Sequence, residues 1–356
     1  MEQRFVKNII VEINITEITI YDIAKEAGVS PATVSRVLTN NARVSDKKRQ
    51  VVEKIIEKYN YRPSAAARSL SGGTRVIGLM MADIRNPYYS TLAIECEKAA
   101  NEQGYTVLLC NMLEDPALEN DLLEKLYAQR VEAIIQIGRR TDYLVSDPGY
   151  TEHVRRITRT IPFITSGKLD GVDCFSVGVS HSRSMELVMD YLVSLGHREI
   201  ALIGGEKVWR STYEKFNQYV LSLKKHKLKF RREFVQEGRY NDVAGYACME
   251  RILSCKPLPS AVIAINDECA LGAILAVQDN GLSVPGDISV AGFDNTFQAI
   301  LIRPTLTTVD CNYPLFGKTL ITTAIEAAQG KNPPREISLK PLLVIRESCC
   351  KATAGK

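Results

Sequence analysis

Apolar residues recur at helical spacing near the N-terminus and in short unbroken runs beyond residue 75. Ile20, Ile23, Ala24 and Ala27 stand at i, i+3, i+4 and i+7, one face of a helix, until Gly28-Val29-Ser30 interrupts the pattern with a turn glycine. Val34, Val37 and Leu38 form the next buried stripe. That leaves Pro31, Ala32, Thr33, Ser35 and Arg36 pointing outward at the start of a second helix. In a third, Val51, Val52, Ile55, Ile56 and Tyr59 supply an inward stripe that closes a three-helix core. Ser45 stands where an N-cap belongs, and Asp46 puts a negative charge in the first turn, where the helix dipole favours it. Lys47, Lys48 and Arg49 stay outside and suit phosphate contacts, and Pro63 ends the helix by removing a donor and restricting Arg62.

Two short helices joined by a glycine turn, the second presenting small hydrogen-bonding side chains at its N-terminus, predict a helix-turn-helix. Such a unit lays its second helix in the major groove of DNA. Residues 64–71, Ser-Ala-Ala-Ala-Arg-Ser-Leu-Ser, are good helix formers but fewer than the roughly 12 needed for a helix to persist alone in water. Gly72-Gly73 then releases the chain. A short alanine-rich helix with one bulky residue, Leu70, suits a minor groove in which the leucine wedges between base steps.

These residues resemble the lactose/galactose-repressor family of bacterial transcriptional regulators. The marks are Tyr21-Asp22-Ile23-Ala24, Ala27-Gly28-Val29-Ser30, Thr33-Val34-Ser35-Arg36-Val37-Leu38, Tyr61-Arg62-Pro63 and Leu70, and the likeness extends from about residue 19 to about residue 346. The resemblance implies a dimeric repressor of carbohydrate-metabolism genes on a palindromic DNA operator, with a hinge helix that forms only in the DNA-bound dimer. It implies DNA contacts from Tyr21, Ser30, Pro31, Ala32, Thr33, Ser35, Arg36 and Arg43, and from Ser64, Ala67 and Leu70 of the hinge. The helix over residues 87–103 is the candidate for part of the dimer face.

After Thr74 strands and helices alternate: apolar runs at 76–81, 105–110, 133–137, 163–165, 200–203, 261–265 and 288–291 are separated by helical patterns. This rhythm predicts parallel sheets with helices on both faces, and about 280 residues of it suggest two similar halves with a cleft between them. The expected fold is therefore an N-terminal all-α helix-turn-helix domain with a hinge helix, joined to a two-subdomain α/β body like that of a periplasmic sugar-binding protein. The expected boundaries are an extension at 1–18, the DNA-binding domain at 19–62, hinge and linker at 63–74, the effector-binding and dimerisation body at 75–346, and a short polar tail at 347–356. Crossings between the two halves are expected near residues 166–177, 294–308 and 330–336.

Ligands of open α/β sheets sit outside the carboxyl ends of strands, so residues just after each strand are the effector candidates. They are Asp83, Tyr88, Tyr89, Gly167, His181, Asn266 and Asp294, with Tyr240 and Tyr313 added by resemblance. Tyrosines offer flat faces to a sugar or ring, and Asp or Asn can bind adjacent hydroxyls, although a residue of either type after a strand is as often a helix cap. Family members often carry a ligand-clamping arginine three residues before Gly-Phe or Gly-Trp, whereas Thr212-Tyr213-Glu214-Lys215-Phe216 stands here. Arg210, two residues earlier, would point elsewhere on the helix but remains among the candidates. Gly167 replaces an acidic residue of many sugar-responsive members, and with Lys168, Arg139 and Arg140 near it the ligand can be a neutral sugar or an anionic derivative.

Composition adds exclusions. The net charge of the 356 residues is only +4, yet between Thr16 and Arg75 eleven Lys and Arg face six Asp and Glu, a basic head on a near-neutral body. The nine cysteines are scattered without a C-x-x-C pair or Cys/His cluster, and read as reduced thiols of a cytoplasmic protein with no metal. No apolar stretch of about 18 residues or signal peptide is present, so neither membrane nor export is expected. The phosphate-loop, dinucleotide, nucleophile-elbow and zinc-protease motifs are all missing, and the four histidines stand apart, which argues against an enzyme or a bound cofactor.

Overall fold

The computed structural model describes residues 18–38, 44–61 and 73–352. The chain divides into two compact units, Met1–Thr74 and Arg75–Lys356.

In the first unit, α1 (Ile20–Ala27), α2 (Pro31–Leu38) and α3 (Asp46–Lys58) enclose Ile23, Ala24, Val34, Val37, Val44, Val52 and Ile55. Thr19 and Asp22 form a reciprocal cap at the start of α1, the Thr19 hydroxyl accepting from the Asp22 N–H while the Asp22 carboxylate accepts from the Thr19 N–H at 2.9 Å. Gly28 ends the helix at φ 62°, a left-handed conformation that a side chain would strain. Two residues expected inside are not: Val51 and Tyr59 are exposed, because Val52 and Ile55 already fill the side of α3 that meets α1 and α2. The Tyr59 ring instead lies 4.6 Å from the Lys58 ammonium, which pairs with Glu26 at 2.7 Å and ties α3 to α1. Ser45 holds the N-cap position of α3, but its side chain makes no capping bond.

The second unit has two lobes. In the N-terminal lobe six parallel strands run in the order β11-β5-β4-β3-β1-β2: Glu336–Leu339, Phe175–Val179, Phe163–Thr165, Ala133–Ile137, Val76–Met81 and Thr106–Asn111. The near-continuous apolar runs of the inner strands β1 and β3 are buried on both faces, as the centre of a parallel sheet requires, while edge strand β2 is largely exposed. Helices α4 (Pro87–Glu102) and α12 (Tyr313–Ala328) cover one face through Leu92, Cys96, Phe316 and Leu320. Helices α5 (Pro116–Ala128) and α6 (Pro148–Thr158) cover the other through Leu123, Leu126, Tyr150 and Val154.

The C-terminal lobe repeats the plan with four parallel strands, β7-β6-β8-β9: Val235–Gln236, Ile200–Ile203, Ala261–Ala264 and Ser289–Ala291. Helices α7 (His181–Ser194) and α8 (Arg210–Lys225) pack on one face, and α9 (Asp242–Leu253) and α10 (Asp267–Asp279) on the other. A short helix, α11 (Gln298–Leu301), follows β9.

The chain passes between lobes at places other than those expected. It leaves β5 of one lobe for α7 of the other at residues 179–181, and returns from β10 (Thr308–Asp310) to α12 at 310–313. It crosses again between β11 and β12 (Leu342–Val344) at 339–342. The antiparallel pair of β10 and β12 stands beside these crossings, and 166–177, 294–308 and 330–336 each lie within one lobe. The polar tail expected from residue 347 is also different, since residues 347–352 pack on the C-terminal lobe. Ser348 is fully buried, with its hydroxyl donating to the Val290 carbonyl at 2.6 Å and accepting from the Thr307 N–H at 2.8 Å. His197 caps this arrangement through the Ser260 hydroxyl at 2.9 Å and the Cys350 carbonyl at 3.0 Å.

Candidate DNA-binding face and effector cleft

Val34 and Val37 anchor α2 in the core of the first unit and so fix which side turns away. Ala32 and Arg36 are exposed on that side, Pro31, Thr33 and Ser35 are partly exposed, and Tyr21 of α1 is 70% exposed. Ser30 has a structural task as well: its hydroxyl accepts from the Thr33 N–H at 3.2 Å and lies 2.9 Å from the Thr33 hydroxyl. A helix N-terminus bearing short polar groups can approach base edges closely, while arginine reaches bases or phosphates. Arg43, Ser64, Ala67 and Leu70 fall outside the described residues.

Between the lobes of the body lies a cleft of about 660 Å³. Seven of the ten effector candidates line it: Asp83, Tyr88, Tyr89, His181, Tyr240, Asn266 and Asp294. Asp83, just after β1, accepts from the Arg85 guanidinium at 2.9 and 3.0 Å, and this pairing holds its carboxyl below the usual range. Tyr88 and Tyr89 open α4 with ring centroids 5.1 Å apart, edge to face. Tyr240 bonds through its hydroxyl to Thr212. Asn266 accepts from the Cys269 N–H at 3.0 Å as the cap of α10 and donates to the Tyr240 carbonyl at 3.0 Å, so capping takes much of its capacity. Burial and the neighbouring Lys215 push the His181 imidazole down to about 3, which keeps it neutral.

Asp294 is different. It sits at φ 105°, three residues after the end of β9, and no hydrogen bond to its carboxyl is found among the described residues. Burial raises its pKa, Lys215 opposes the rise and Glu268 adds to it. Behind it Asp267 is fully buried, accepts from the Thr308 hydroxyl at 2.6 Å and the Thr296 N–H at 2.7 Å, and is raised chiefly by burial and by Asp294.

Three candidates lie elsewhere. Gly167 is a packing glycine: a Cβ there would come within 1.9 Å of the Thr141 carbonyl oxygen, which accepts from the Lys168 N–H at 2.8 Å. Arg210 donates to the Leu144 carbonyl at 3.0 Å and so joins the lobes rather than facing a ligand. Tyr313 packs into the N-terminal lobe 5.9 Å from Tyr88, with its hydroxyl buried and unpartnered. Of the cations near Gly167, only Arg139 lines the cleft. Arg140 is buried against Glu119 at 2.8 Å and over the Tyr150 ring at 4.2 Å, while Lys168 is exposed.

Other lining residues escaped sequence reasoning, among them Asp142, Trp209, Ser211, Lys215 and Glu268. Asp142 ends the short turn Arg139–Asp142 after β3 and accepts from the Ser211 hydroxyl at 2.6 Å and N–H at 3.1 Å across the cleft. Burial raises its pKa to about 6. Beside it the Tyr143 and Trp209 rings meet at 5.0 Å, and the Leu144 N–H donates to the Val208 carbonyl at 2.9 Å. The length of the Asp142 turn was the available signal; Lys215 gave none, because it lies inside α8 and follows no strand. Among the described residues no group of three or more His, Cys, Asp or Glu is placed to hold a metal, and no helix is long and apolar enough to cross a membrane.

With this geometry in hand, likeness to known proteins is specific. The description "Bacterial regulatory proteins, lacI family" matches residues 19–64, and "Periplasmic binding protein-like domain" matches residues 189–349. Over 336 residues the chain is 33% identical to the HTH-type transcriptional repressor PurR of Pasteurella multocida, spanning 93% of this chain and 98% of that one. The chain belongs to the lacI family of bacterial regulatory proteins. Another lacI-family relative, catabolite control protein A of Staphylococcus epidermidis, is 32% identical over 89% of this chain and 95% of its own. The lac repressor dimer bound to operator and the anti-inducer ONPF matches with a TM-score of 0.81 at 27% identity, over 94% of this chain and 99% of that one. A lacI-family regulator from Enterococcus faecium with bound ribose matches with a TM-score of 0.68 at 25% identity, over 78% of this chain and 100% of its own. This lacI-family member is a transcriptional regulator with a DNA-binding head and a periplasmic-binding-protein-like body, and the relatives named are repressors or regulators rather than enzymes.

Proposed function

We propose that the chain acts as a homodimeric, cytoplasmic repressor of carbohydrate-metabolism genes, released from or fixed on its operator by a small polyhydroxyl effector in the body's cleft. The observation that carries the effector reading is the Asp294 carboxyl, lining a cleft between two lobes and without a protein hydrogen bond among the described residues. A carboxylate beside aromatic rings accepts from adjacent hydroxyls. An anionic sugar acid or phosphate fits less well. Arg140 and Lys168 do not face the cleft, Arg85 is taken by Asp83, and Asp142, Glu206, Glu268 and Asp294 line the walls.

The DNA reading assigns Tyr21, Ser30, Pro31, Ala32, Thr33, Ser35, Arg36 and Arg43 to the major groove and its phosphates, and Ser64, Ala67 and Leu70 to the central minor groove. One copy reads too few base pairs for specificity in a genome, so two copies on a palindrome are needed. Exposed Ile94 of α4 and exposed Leu108, Leu109 and Leu113 at the edge strand β2 are surfaces a second copy would cover. Effector binding changes the lobe geometry through the contact of Asp142 with Ser211, and this biases whether two hinges form together.

Selection of bound fragments from genomic DNA by the full chain tests this reading. The expected product is a palindrome bound by two copies, whose affinity changes when a neutral sugar that raises the protein's Tm is added. Leu70→Ala is expected to weaken that complex at least about tenfold at fixed salt while leaving sugar binding intact. Recovery of a non-palindromic site bound by one copy, or unchanged affinity of the variant, would reject the assignment.

A further inference from the structure

We propose that Lys215 is the specificity-determining donor of the cleft and that it works with Asp294 to bracket a hydroxyl-bearing, uncharged ligand. This rests on the polyhydroxyl reading above. Lys215 projects from α8 into the cleft wall yet is only 7% exposed. A lysine that deep ordinarily needs an acidic partner, because burial disfavours its charge. Among the described residues no carboxylate forms a salt bridge with it. Its ammonium donates one hydrogen bond, to the Ile265 carbonyl at 2.9 Å, and lies 4.2 Å from the centre of the Phe293 ring. An ammonium carries three donors, so two remain for other acceptors.

The acceptor side of the same wall is also incomplete. Among the described residues the Asp294 carboxyl accepts no hydrogen bond, and Glu268 Oε1 is buried without one. Lys215 and Asp294 do not close on each other as an ion pair, although each shifts the titration of the other. Donors and acceptors that face one cavity without meeting are satisfied together by a group that both gives and takes hydrogen bonds. A hydroxyl does both, and two neighbouring hydroxyls on a ring reach both residues at once. A carboxylate or phosphate would satisfy Lys215 but would confront Asp294, Glu268 and Asp142, while an amine would satisfy the acids but confront Lys215.

The test uses the full chain and its Lys215→Met and Lys215→Gln variants with D-ribose, D-glucose, D-gluconate and D-glucose 6-phosphate, read by thermal shift and titration calorimetry. The expected result is that a neutral sugar raises the wild-type Tm and binds Lys215→Met at least about tenfold more weakly, with Lys215→Gln, which keeps a donor, in between. The unliganded Tm of Lys215→Met should equal or exceed that of wild type, since a buried charge is removed. Monodeoxy forms of the binding sugar separate contact from packing: one of them should lose affinity for wild type but not for Lys215→Met. Undiminished binding by Lys215→Met, or equal deoxy penalties in both proteins, would overturn the role of Lys215 alone. Wild-type binding confined to gluconate or glucose 6-phosphate, or no shift with any of the four, would overturn the polyhydroxyl reading and the proposal with it. Should Lys215→Met fail to fold, the ratio of Lys215→Gln to wild type decides: equal affinity for the neutral sugar and for all its deoxy forms overturns the role.

Discussion

The N-terminal lobe ties its cleft carboxylates Asp83 and Asp142 into protein hydrogen bonds, whereas the C-terminal lobe leaves Asp294 and one oxygen of Glu268 without them among the described residues. On the first wall Asp83 is held by Arg85, and Asp142 by two donors from Ser211. Three residues of this wall are exceptions: Arg139 donates to the Glu114 carbonyl at 2.7 Å while its Nε is buried unpartnered, and no hydrogen bond to the Tyr88 or Tyr89 hydroxyl is found among the described residues. On the second wall Glu268 Oε1 is buried unpartnered, and among the described residues the Asp294 carboxyl accepts no hydrogen bond and the Lys215 ammonium makes one. Buried polar groups without partners cost stability, so a wall that keeps them is set up for a ligand that supplies them. The first wall thus gives shape and closure, and the second gives selection.

Breaking the frame behind the first wall should have the largest effect. Arg140 of the turn Arg139–Asp142 is buried against Glu119, with Gln136, Asn120 and Tyr150 completing the network. Arg140→Met leaves the Glu119 charge uncompensated and is expected to cost about 3–5 kcal/mol in urea unfolding. Near-wild-type stability would show that this frame is not what holds the turn. Gly167→Ala comes next, because its methyl must displace the Thr141 carbonyl. A loss of about 1–3 kcal/mol in the same measurement is expected, with weaker sugar binding as Asp142 moves. An unchanged urea midpoint would mean the backbone yields freely there.

The pH dependence sharpens the contrast with a smaller effect. Asp142 has its pKa raised by burial from 3.8 to about 6 in the folded protein. A raised acid contributes its full share of stability below about pH 4 and loses it as pH climbs through 6. The Tm of wild type relative to Asp142→Asn should therefore fall between about pH 4 and pH 7 and then level off. A relative Tm that rises over that interval would show Asp142 to be stabilised as the anion.

Much of this organisation was legible in the sequence, where the information is local. The stripe of Val34 and Val37 fixes which side of α2 faces outward, and strands such as Val76–Met81 and Ala133–Ile137 follow from their apolar runs. The cleft was half legible, since Asp83, Tyr88, Asn266 and Asp294 sit just after strands. Lys215 was not legible, because its place depends on how Tyr219 and Leu223 anchor α8 against the sheet of the C-terminal lobe. Gly167 was misread because its neighbour, Thr141, is remote in sequence and only the fold brings the two turns together. The crossings were missed because β10 and β12 are strands of three residues whose pairing is set by contacts across the hinge.

The most direct test of the division between the walls is calorimetric titration of the full chain with a neutral sugar found by thermal shift, comparing Asp83→Asn with Asp294→Asn. Both exchanges are nearly isosteric and remove one carboxylate from the same cleft. The account predicts that Asp83→Asn stays within about threefold of wild type, while Asp294→Asn loses about tenfold to a hundredfold, a difference of roughly 1.5–3 kcal/mol for hydrogen bonds to a charged group. Equal losses, or a larger loss for Asp83→Asn, would contradict it and place ligand selection on the N-terminal lobe.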